Sequence, residues 1–209
     1  MSALVGPLLA SYLVGAIPTS YLVGRIFRGI DLREHGSKNL GATNLYRVMG
    51  WRFAIPVGLF DLAKGAVPVL VFGPWAGGGA VRPLLCGVTA VLGHVFSVFV
   101  RFKGGKGVAT GAGVVLAVAP WAVAAVLAVW IVLVYLTGYV SVGSITAAAL
   151  YPVATWAMYP AQRPLILLHL ALAAAIVWFH RANIRRLLAG TENRFRRGAP
   201  ATPPGPGGP

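Results

Sequence analysis

The chain alternates between long apolar runs and shorter polar segments that carry most of its charge. A bilayer core is about 30 Å thick, so a helix that crosses it needs about 20 apolar residues. Six runs approach or exceed this length, at residues 3–24, 53–72, 83–100, 108–136, 145–159 and 165–179. The pattern therefore predicts an all-α integral membrane protein in which some of the helices are short.

The composition fits a membrane protein better than a soluble one. Of the 209 residues, 57% are hydrophobic and 11% are charged, whereas a soluble domain carries about 25% charged residues. The net charge of +14 alone would be typical of a nucleic-acid-binding protein, but the apolar majority excludes that class. A single cysteine, Cys86, excludes an intramolecular disulfide framework. Four carboxylates and four scattered histidines predict neither a metal site nor a bound cofactor.

The positions of the 18 lysines and arginines predict the topology. Fifteen of them lie in three segments, at 25–52, 101–106 and 181–197, and the positive-inside rule places all three in the cytoplasm, with the N-terminus outside. Because two segments on one side are separated by an even number of crossings, the run 108–136 has to contain two helices. As one helix it would span about 44 Å, and Pro120 near its middle can end a helix. The sequence therefore predicts seven transmembrane helices and a cytoplasmic C-terminus.

The chain is predicted to form one transmembrane domain, residues 1–197, followed by a Pro/Gly-rich segment, 198–209, that is typical of a disordered tail. No basic residue precedes the first apolar run, which favours a retained helix over a cleaved signal peptide. The predicted outer loops, 73–81 and 159–164, are too short to hold a catalytic domain. Any chemistry is therefore expected on the cytoplasmic face.

The first polar segment, 31–47, has the composition of an anion-binding loop. Gly36 and Gly41 permit tight turns in which backbone N–H groups converge, and Arg47 can hold a phosphate with two parallel hydrogen bonds. Further polar side chains come from Ser37, Asn39, Thr43 and Asn44. A solvated basic loop that faces anionic lipids is the alternative interpretation.

The second polar segment is the glycine-rich turn 103–107 at the start of an apolar helix. Free N–H groups and the helix dipole favour an anion at such a position, and Lys106 adds a full positive charge. The GxxxxGK[ST] spacing of a P-loop is absent, because Val108 follows Gly107. The turn, with its Gly104 and Gly105, is therefore a second candidate phosphate site. The alternative interpretation is a flexible turn with lipid-facing lysines.

The third polar segment, 180–186, follows the last apolar run. His180 and Asn183 are three residues apart, so they share one side of a helix. His180 is also the candidate for a general base near neutral pH. The arginines of this segment are better explained as a basic cluster that ends membrane insertion.

Asp61 and Lys64 place a charged pair inside the second apolar run. Such a pair is costly in a membrane, so it indicates either a functional interior or an ion pair that holds helices together, and both interpretations stay open. His94 lies near the end of the third run. His169 lies among leucines in the last run and is expected to pack between helices.

Four motifs, in this order, resemble those of the PlsY-type glycerol-3-phosphate acyltransferases of bacteria. They are GSKNLGATN at 36–44, DLAKG at 61–65, GHVF at 93–96 with FKGGKGVAT at 102–110, and HRANIRRLLAGTE at 180–192. The resemblance implies a seven-helix protein of the bacterial cytoplasmic (inner) membrane that transfers a fatty acyl group from acyl phosphate to the 1-hydroxyl of glycerol 3-phosphate. The products are lysophosphatidic acid and phosphate, in the first committed step of phospholipid synthesis. Neither acyl-CoA nor acyl-carrier protein is the implied donor.

The resemblance also implies which residues act. It implies functional positions at Ser37, Arg47, Lys106, His180 and Asn183, with Ser144 or Ser141 at a further matching position. Of these, Ser37, Lys106, His180 and Asn183 are predicted to be catalytic. The predicted substrate-binding residues are Arg47 and Ser144 and, from the residue types themselves, Asn39, Gly41, Thr43, Asn44, Lys64, Gly104 and Gly105. A substrate phosphate oxygen is favoured over His180 as the proton acceptor. A covalent acyl-Ser37 intermediate is disfavoured because no adjacent base is evident. The expected partners are the two substrates and membrane lipids, without an obligate protein partner.

Two positions depart from the family pattern. The family often has Gly where this chain has Lys38, and Pro where it has Ser97; Lys38 would be strained if its φ is positive. Two other functions would use similar anion-binding loops, namely a small membrane anion transporter and a lipid-phosphate phosphatase. Internal inverted repeats of the transporter kind are not visible, and the phosphatase would need a histidine nucleophile with an orienting carboxylate.

Overall fold

The computed structural model describes residues 2–195, and within them the regular structure is helical, as predicted. The predicted tail, 198–209, lies outside the described residues. In chain order the α-helices are α1 (Ser2–Ala16), α2 (Thr19–Arg28), α3 (Ala42–Met49), α4 (Trp51–Val67), α5 (Gly73–Trp75), α6 (Val81–Val95), α7 (Val108–Val118), α8 (Pro120–Thr137), α9 (Val140–Met158), α10 (Ile166–Phe179) and α11 (Arg181–Leu188). A π-helical turn at Pro68–Phe72 follows α4, and 3₁₀ turns lie at Val98–Val100 and Pro160–Leu165.

Six helical stretches within the described residues are long and apolar enough to cross a membrane, namely Ala3–Arg28, Trp51–Trp75, Val81–Val100, Pro120–Thr137, Val140–Met158 and Pro160–Phe179. Helix α7 is also apolar but shorter. Large apolar side chains cover the outside of the bundle: α8 buries Ala122, while Trp121 and Leu136 are 70% and 72% exposed. Such a surface requires lipid, so the chain is a multi-pass membrane protein.

The apolar run 108–136 contains two helices, which confirms the split predicted from the charge distribution. Helix α7 ends at Val118, and Ala119 has φ −150° and ψ 66°, outside the helical region. Pro120 is the first residue of α8, where its fixed φ suits a helix and its missing N–H costs no hydrogen bond. The break lets α7 and α8 pack against each other.

Several helix boundaries differ from those that the hydropathy pattern predicts: the run 3–24 breaks after Ala16, and two further differences bear on the site. Helix α9 begins at Val140 rather than at residue 145, because Ser141 and Ser144 are buried within it instead of preceding it. Helix α6 ends at Val95, before the predicted end at residue 100. Polar residues at the edge of an apolar run can thus belong to a helix when they face the interior.

Glycines let two pairs of helices approach closely. A Cβ on Gly15 of α1 would overlap the Ala90 backbone of α6, and one on Gly65 of α4 would overlap the Thr110 carbonyl of α7. Small residues at such contacts are typical of membrane helices, whose association depends on van der Waals packing. The main apolar core lies between α6, α7, α9 and α10.

The connection between α2 and α3 has its own small core. Leu32, Leu40 and Leu45 are at most 3% exposed and pack with Val57 of α4. Asp31 and Asn44 of the first polar segment are buried beside these leucines, at 5% and 1% exposed, so the segment is anchored by both apolar and polar side chains. Arg47 at the end of this segment donates to the Asn193 carbonyl, which joins the segment to the residues that follow α11.

Candidate active site

The three polar segments meet at one end of the bundle and line a cavity of about 340 Å³. Its polar wall comes mainly from the three segments, which contribute Ser37, Asn39, Gly41, Thr43, Asn44, Arg47, Lys106, His180 and Asn183. Glu192 adds to it from beyond the third segment, and Asp61 of α4 and His94 of α6 also line the cavity. Its apolar wall comes from α7, α8 and α9 and includes Val108, Ala112, Val123, Leu127, Trp130 and Ala147. One side of the cavity therefore suits charged groups, and the other suits a hydrocarbon chain.

Asn44 shapes the first polar segment from inside. Its amide nitrogen lies 2.9–3.1 Å from the carbonyl oxygens of Leu32, His35 and Asn39, which share its two N–H donors. Its Oδ1 accepts the N–H of Ser37 at 2.7 Å. The Asn44 amide is thus used by the loop itself, so the structure assigns it to holding the loop in shape, and its contact with substrate stays a prediction.

Two helix N-termini open into the cavity. Gly41 is the N-cap of α3, and Gly41, Ala42 and Thr43 line the cavity. The first residues of α7, together with its N-cap Gly107, line it as well. Because the first N–H groups of a helix have no partner within it and carry the positive end of the helix dipole, both N-termini favour a bound anion.

Arg47 bridges two polar segments at the edge of the cavity. Its guanidinium donates to the Ser37 hydroxyl and to the Asn193 carbonyl, in both cases at 3.4 Å. Its Nε is buried and has no hydrogen-bond partner. A buried donor of this kind costs stability unless a bound group satisfies it, which favours a ligand at Arg47.

Lys106, Asn183 and Glu192 form a chain of hydrogen bonds across the polar wall. The Lys106 ammonium donates to the side-chain carbonyl oxygen of Asn183. The Asn183 amide nitrogen donates to Glu192 Oε1 at 2.6 Å, and the Ser141 hydroxyl donates to the same oxygen at 2.9 Å. Arg186 donates to the other carboxylate oxygen at 2.7 Å. Glu192 therefore fixes the orientation of the Asn183 amide, so that its oxygen faces the lysine.

His180 is buried at the start of α11. Its Nδ1 donates to the Ile176 carbonyl at 2.7 Å, which leaves Nε2 for a ligand. Burial lowers the pKa of His180 to about 4, and the charge of Lys106 adds to this shift. The imidazole is therefore neutral at physiological pH and offers Nε2 as a hydrogen-bond acceptor.

The polar wall carries more positive than negative charge. Burial is the main cause that lowers the pKa of Lys106 to about 8; Glu192 opposes this shift, and Arg186 and Arg47 add to it. Burial alone would raise the pKa of the Glu192 carboxyl, but its hydrogen bonds outweigh burial and lower it. Glu192 thus stays ionised. It is one negative charge among three positive ones, those of Arg47, Lys106 and Arg186, and anionic substrates would balance this excess of positive charge. Within residues 2–195, no group of three or more His, Cys, Asp or Glu side chains is placed to hold a metal ion.

Lys64 lies away from the cavity wall. Its ammonium contacts the Asp61 carboxylate at 2.8 Å and donates to the Ile17 carbonyl at 2.9 Å. It therefore ties α4 to the break between α1 and α2. This arrangement fits the structural interpretation of the charged pair. Asp61 lines the cavity whereas Lys64 does not, and a contact of Lys64 with substrate stays a prediction.

The amides of Gly104 and Gly105 do not face the cavity. They donate to the carbonyls of Val95 and His94 at 3.0 and 3.1 Å. This corrects the expectation that these N–H groups hold a phosphate, since they attach the turn to the end of α6. The part of the turn that reaches the cavity is Lys106 with the start of α7.

Glu192, Asp61 and His94 line the cavity although they are not among the predicted site residues. Glu192 carries two signals in the sequence: it ends the motif 180–192, and it is the sole carboxylate in a basic C-terminal segment. Both serines between which the sequence left a choice line the cavity. Ser141 belongs to the Glu192 network, whereas Ser144 accepts the indole N–H of Trp130 at 3.2 Å on the apolar side.

The residues after α11 close one side of the site. The Phe195 ring stacks on Tyr46 with a centroid distance of 4.7 Å, and the Phe195 N–H donates to the Gly138 carbonyl at 2.6 Å. Arg194 donates to the Tyr139 hydroxyl at 3.0 Å. The segment therefore connects α3 with the turn between α8 and α9.

Lys38 adopts a φ of +57°, in the left-handed region that favours glycine. We expect Lys38→Gly to be more stable than Lys38→Ala by about 0.5–1 kcal/mol, because the strain of a side chain there exceeds the entropy cost of glycine. Thermal unfolding in detergent measures the difference. Ala182→Gly, at an exposed helical position of α11, is the control and should destabilise by about 1 kcal/mol. Equal stability of the two Lys38 variants would contradict the expected strain.

Comparisons with known proteins point to one family. The family model described as glycerol-3-phosphate acyltransferase matches residues 5–190. The chain is 48% identical over 170 residues to a glycerol-3-phosphate acyltransferase of Trichlorobacter lovleyi, with 80% of this chain and 86% of that protein covered. It is 41% identical over 219 residues to one of Chlorobaculum parvum, with 90% and 94% covered.

Two crystal structures are similar over nearly the whole chain. One is PlsY, an integral membrane glycerol 3-phosphate acyltransferase, in its glycerol 3-phosphate form, with a TM-score of 0.86 and 37% identity over 94% of this chain and 96% of that one. The other is the lysophosphatidic acid form of PlsY, with a TM-score of 0.83 and 36% identity over the same shares. The similarity thus includes both the apolar helices and the segments that line the cavity.

Proposed function

The chain belongs to the glycerol-3-phosphate acyltransferase family, and we propose that it transfers a fatty acyl group from acyl phosphate to the 1-hydroxyl of glycerol 3-phosphate. It is accordingly a membrane acyltransferase whose product is lysophosphatidic acid, in agreement with the forms in which PlsY was crystallised. The observation that carries the proposal is the cavity itself. Its cationic wall adjoins an apolar wall, so a small anionic acceptor and a donor with a hydrocarbon chain can be held side by side.

The donor is placed along α7. Val108 and Ala112 line the apolar wall near the start of this helix, and a narrower cavity of about 70 Å³ continues between α7, α9 and α10 as far as Tyr151. An acyl chain that follows α7 brings its phosphate to the helix N-terminus. The helix dipole and the Lys106 ammonium favour an anion at this point.

Glycerol 3-phosphate is placed at α3. Its phosphate would meet the first N–H groups of that helix and the Arg47 guanidinium, which can offer two parallel donors. Ser37, which Arg47 contacts, would bond the acceptor next to this phosphate. Lys106 would balance charge from both phosphates and lower their mutual repulsion.

The reaction needs alignment more than activation. The acceptor hydroxyl oxygen attacks the acyl carbonyl carbon, the bond from that carbon to the phosphate oxygen breaks, and phosphate leaves with the electron pair. The hydroxyl proton passes to a phosphate oxygen. Holding the two substrates in this geometry can supply about 7 kcal/mol or more of the barrier reduction. His180 bonds a backbone carbonyl rather than an orienting carboxylate, and the partner of Ser37 Oγ is an arginine, so neither has the surroundings of an activated base or nucleophile.

Seven crossings and a cytoplasmic site are part of the proposal. The contacts of Lys106 with Asn183 and of Arg47 with Asn193 support one shared side for the three polar segments. Counting α1–α2 as one crossing, two more lie between the first two segments and four between the last two. The excess of lysine and arginine at this end favours the cytoplasmic face of the bacterial inner membrane, which places the N-terminus outside.

The test is a donor comparison with purified protein in lipid or detergent. Labelled glycerol 3-phosphate is supplied with acyl phosphate, acyl-CoA or acyl-carrier protein in turn, and we expect lysophosphatidic acid with acyl phosphate alone. Product with acyl-CoA alone would keep the reaction and overturn the donor, and no product with any of the three would overturn the function. Exchange of labelled phosphate into acyl phosphate without acceptor would overturn direct transfer in favour of an acyl-Ser37 intermediate.

A further inference from the structure

The turn 103–107, which carries Lys106, is built on the end of α6. The N–H groups of Gly104 and Gly105 donate to the carbonyls of Val95 and His94. The Phe102 N–H donates to the Ser97 carbonyl at 2.8 Å. The place of the Lys106 ammonium in the cavity therefore depends on where the end of α6 lies.

The end of α6 is itself fixed to α1. The Tyr12 hydroxyl donates to the Phe96 carbonyl at 2.6 Å, and the Ser97 hydroxyl donates to the Ala16 carbonyl at 2.5 Å. A Cβ on Gly93 would overlap the Tyr12 carbonyl, so the two backbones are in contact. Ser97, where the family often has proline, has a φ of −65° that proline shares, and it gains a hydrogen bond that proline cannot make.

The His94 imidazole fills the space between this fixed helix end and the turn. Its side chain is 7% exposed, and its Nδ1 lies 4.0 Å from the Asp61 carboxylate. That carboxylate is held by Lys64 at 2.8 Å and by the Thr19 hydroxyl at 3.4 Å. The opposite edge of the ring faces Gly105, where a Cβ would overlap Nε2. The ring therefore lies between the ion pair of α4 and the turn, and part of it also lines the cavity.

We propose that His94 is a positioning residue that sets the distance of the turn 103–107 from α6 and thereby places the Lys106 ammonium against the substrate phosphates. Because Gly105 has no side chain, the turn leaves the space that the His94 ring occupies. The proposal rests on the proposed function of the cavity, because its effect is read through the acyl transfer. His94 acts on Lys106 through the backbone of Gly105, the preceding residue.

Paired substitutions test this contact. Gly105→Ala should lower kcat/KM for glycerol 3-phosphate at least about tenfold, because a misplacement of about 1 Å can cost about 10²-fold. His94→Ala alone should also lower it, because the turn loses its support. The double variant should be about tenfold more active than Gly105→Ala, since the added methyl group then occupies space that the ring has left.

Gly104→Ala is the matched control. A Cβ at Gly104 would overlap the carbonyl oxygens of His94 and Val95, which are backbone atoms that His94→Ala leaves in place. His94→Ala should therefore not restore the Gly104→Ala variant. We expect the changes at Gly105 in KM for both substrates, because Lys106 faces both phosphates, with thermal midpoints that stay close to one another.

A second pair of variants decides the matter where His94→Ala does not fold. His94→Gln has a side chain long enough to reach Gly105 and should stay within about threefold of the parent, whereas the shorter His94→Asn should lose about tenfold. Equal activity of these two variants, a double variant no better than Gly105→Ala, or equal rescue of Gly104→Ala would each overturn the positioning role. A parent protein that forms no lysophosphatidic acid would instead overturn the proposed function.

Discussion

Lys106→Ala is expected to lower kcat/KM for glycerol 3-phosphate by about 10³-fold, because a preorganised charge in a water-poor site contributes more than one at a surface. The Lys106 ammonium is fixed by Asn183, whose amide is held by Glu192. Initial rates of lysophosphatidic acid formation measure the effect, and the thermal midpoint verifies folding. Lys103→Ala is the matched control, because Lys103 belongs to the same turn but is exposed; it should stay within about twofold of the parent.

The same lysine predicts the alkaline side of the pH profile. Since burial lowers the pKa of Lys106 to about 8, the ammonium is charged below that pH and loses its proton above it. The logarithm of kcat/KM, which reports on groups of the free enzyme, should therefore fall above about pH 8 with a slope approaching −1. Lys106→Arg should be less active but lack this decline, because a guanidinium keeps its proton. A decline that persists unchanged in Lys106→Arg would assign it to another group.

The charge distribution predicted more of the architecture than hydropathy alone. Parity between the basic segments required a second helix within 108–136, and α8 begins at Pro120 as expected. The start of α9 was not predictable in this way, because the burial of Ser141 depends on the distant carboxylate of Glu192. A polar side chain counts against a membrane helix in a hydropathy reading, although a partner from elsewhere in the chain can satisfy it.

The residues of the polar wall were largely predictable, whereas the direction of their groups was not. Ser37, Arg47, Lys106 and Asn183 lie in three separate polar segments, and the fold brings them to one cavity as expected. The N–H groups of Gly104 and Gly105, by contrast, donate to backbone carbonyls of α6 instead of facing the cavity. These hydrogen bonds join the turn to the end of α6, shortly before it in the chain, and hydropathy does not report which carbonyls a helix end leaves free.

Arg47→Ala is expected to lower kcat/KM about 10²-fold and also to move the alkaline decline to a higher pH. The charge of Arg47 contributes to the low pKa of Lys106, so its removal should raise that pKa. The loss of rate has a separate cause, since the acceptor phosphate loses a donor that can form two parallel hydrogen bonds. The full pH dependence of kcat/KM, measured for the parent and the variant, gives both the loss of rate and the pH at which the decline begins.

Arg47→Lys separates these two causes. Lysine restores the charge, so the decline should return to about pH 8, as in the parent. The rate should stay low, because a single ammonium cannot reproduce the planar set of donors with which Arg47 contacts Ser37 and the Asn193 carbonyl. Arg52→Ala, which removes an exposed cation outside the cavity wall, should change neither the rate nor the decline. If Arg47→Ala lost activity while the decline stayed at about pH 8, the charge of Arg47 would not act measurably on the pKa of Lys106, and its effect on the rate would come from the phosphate contact alone.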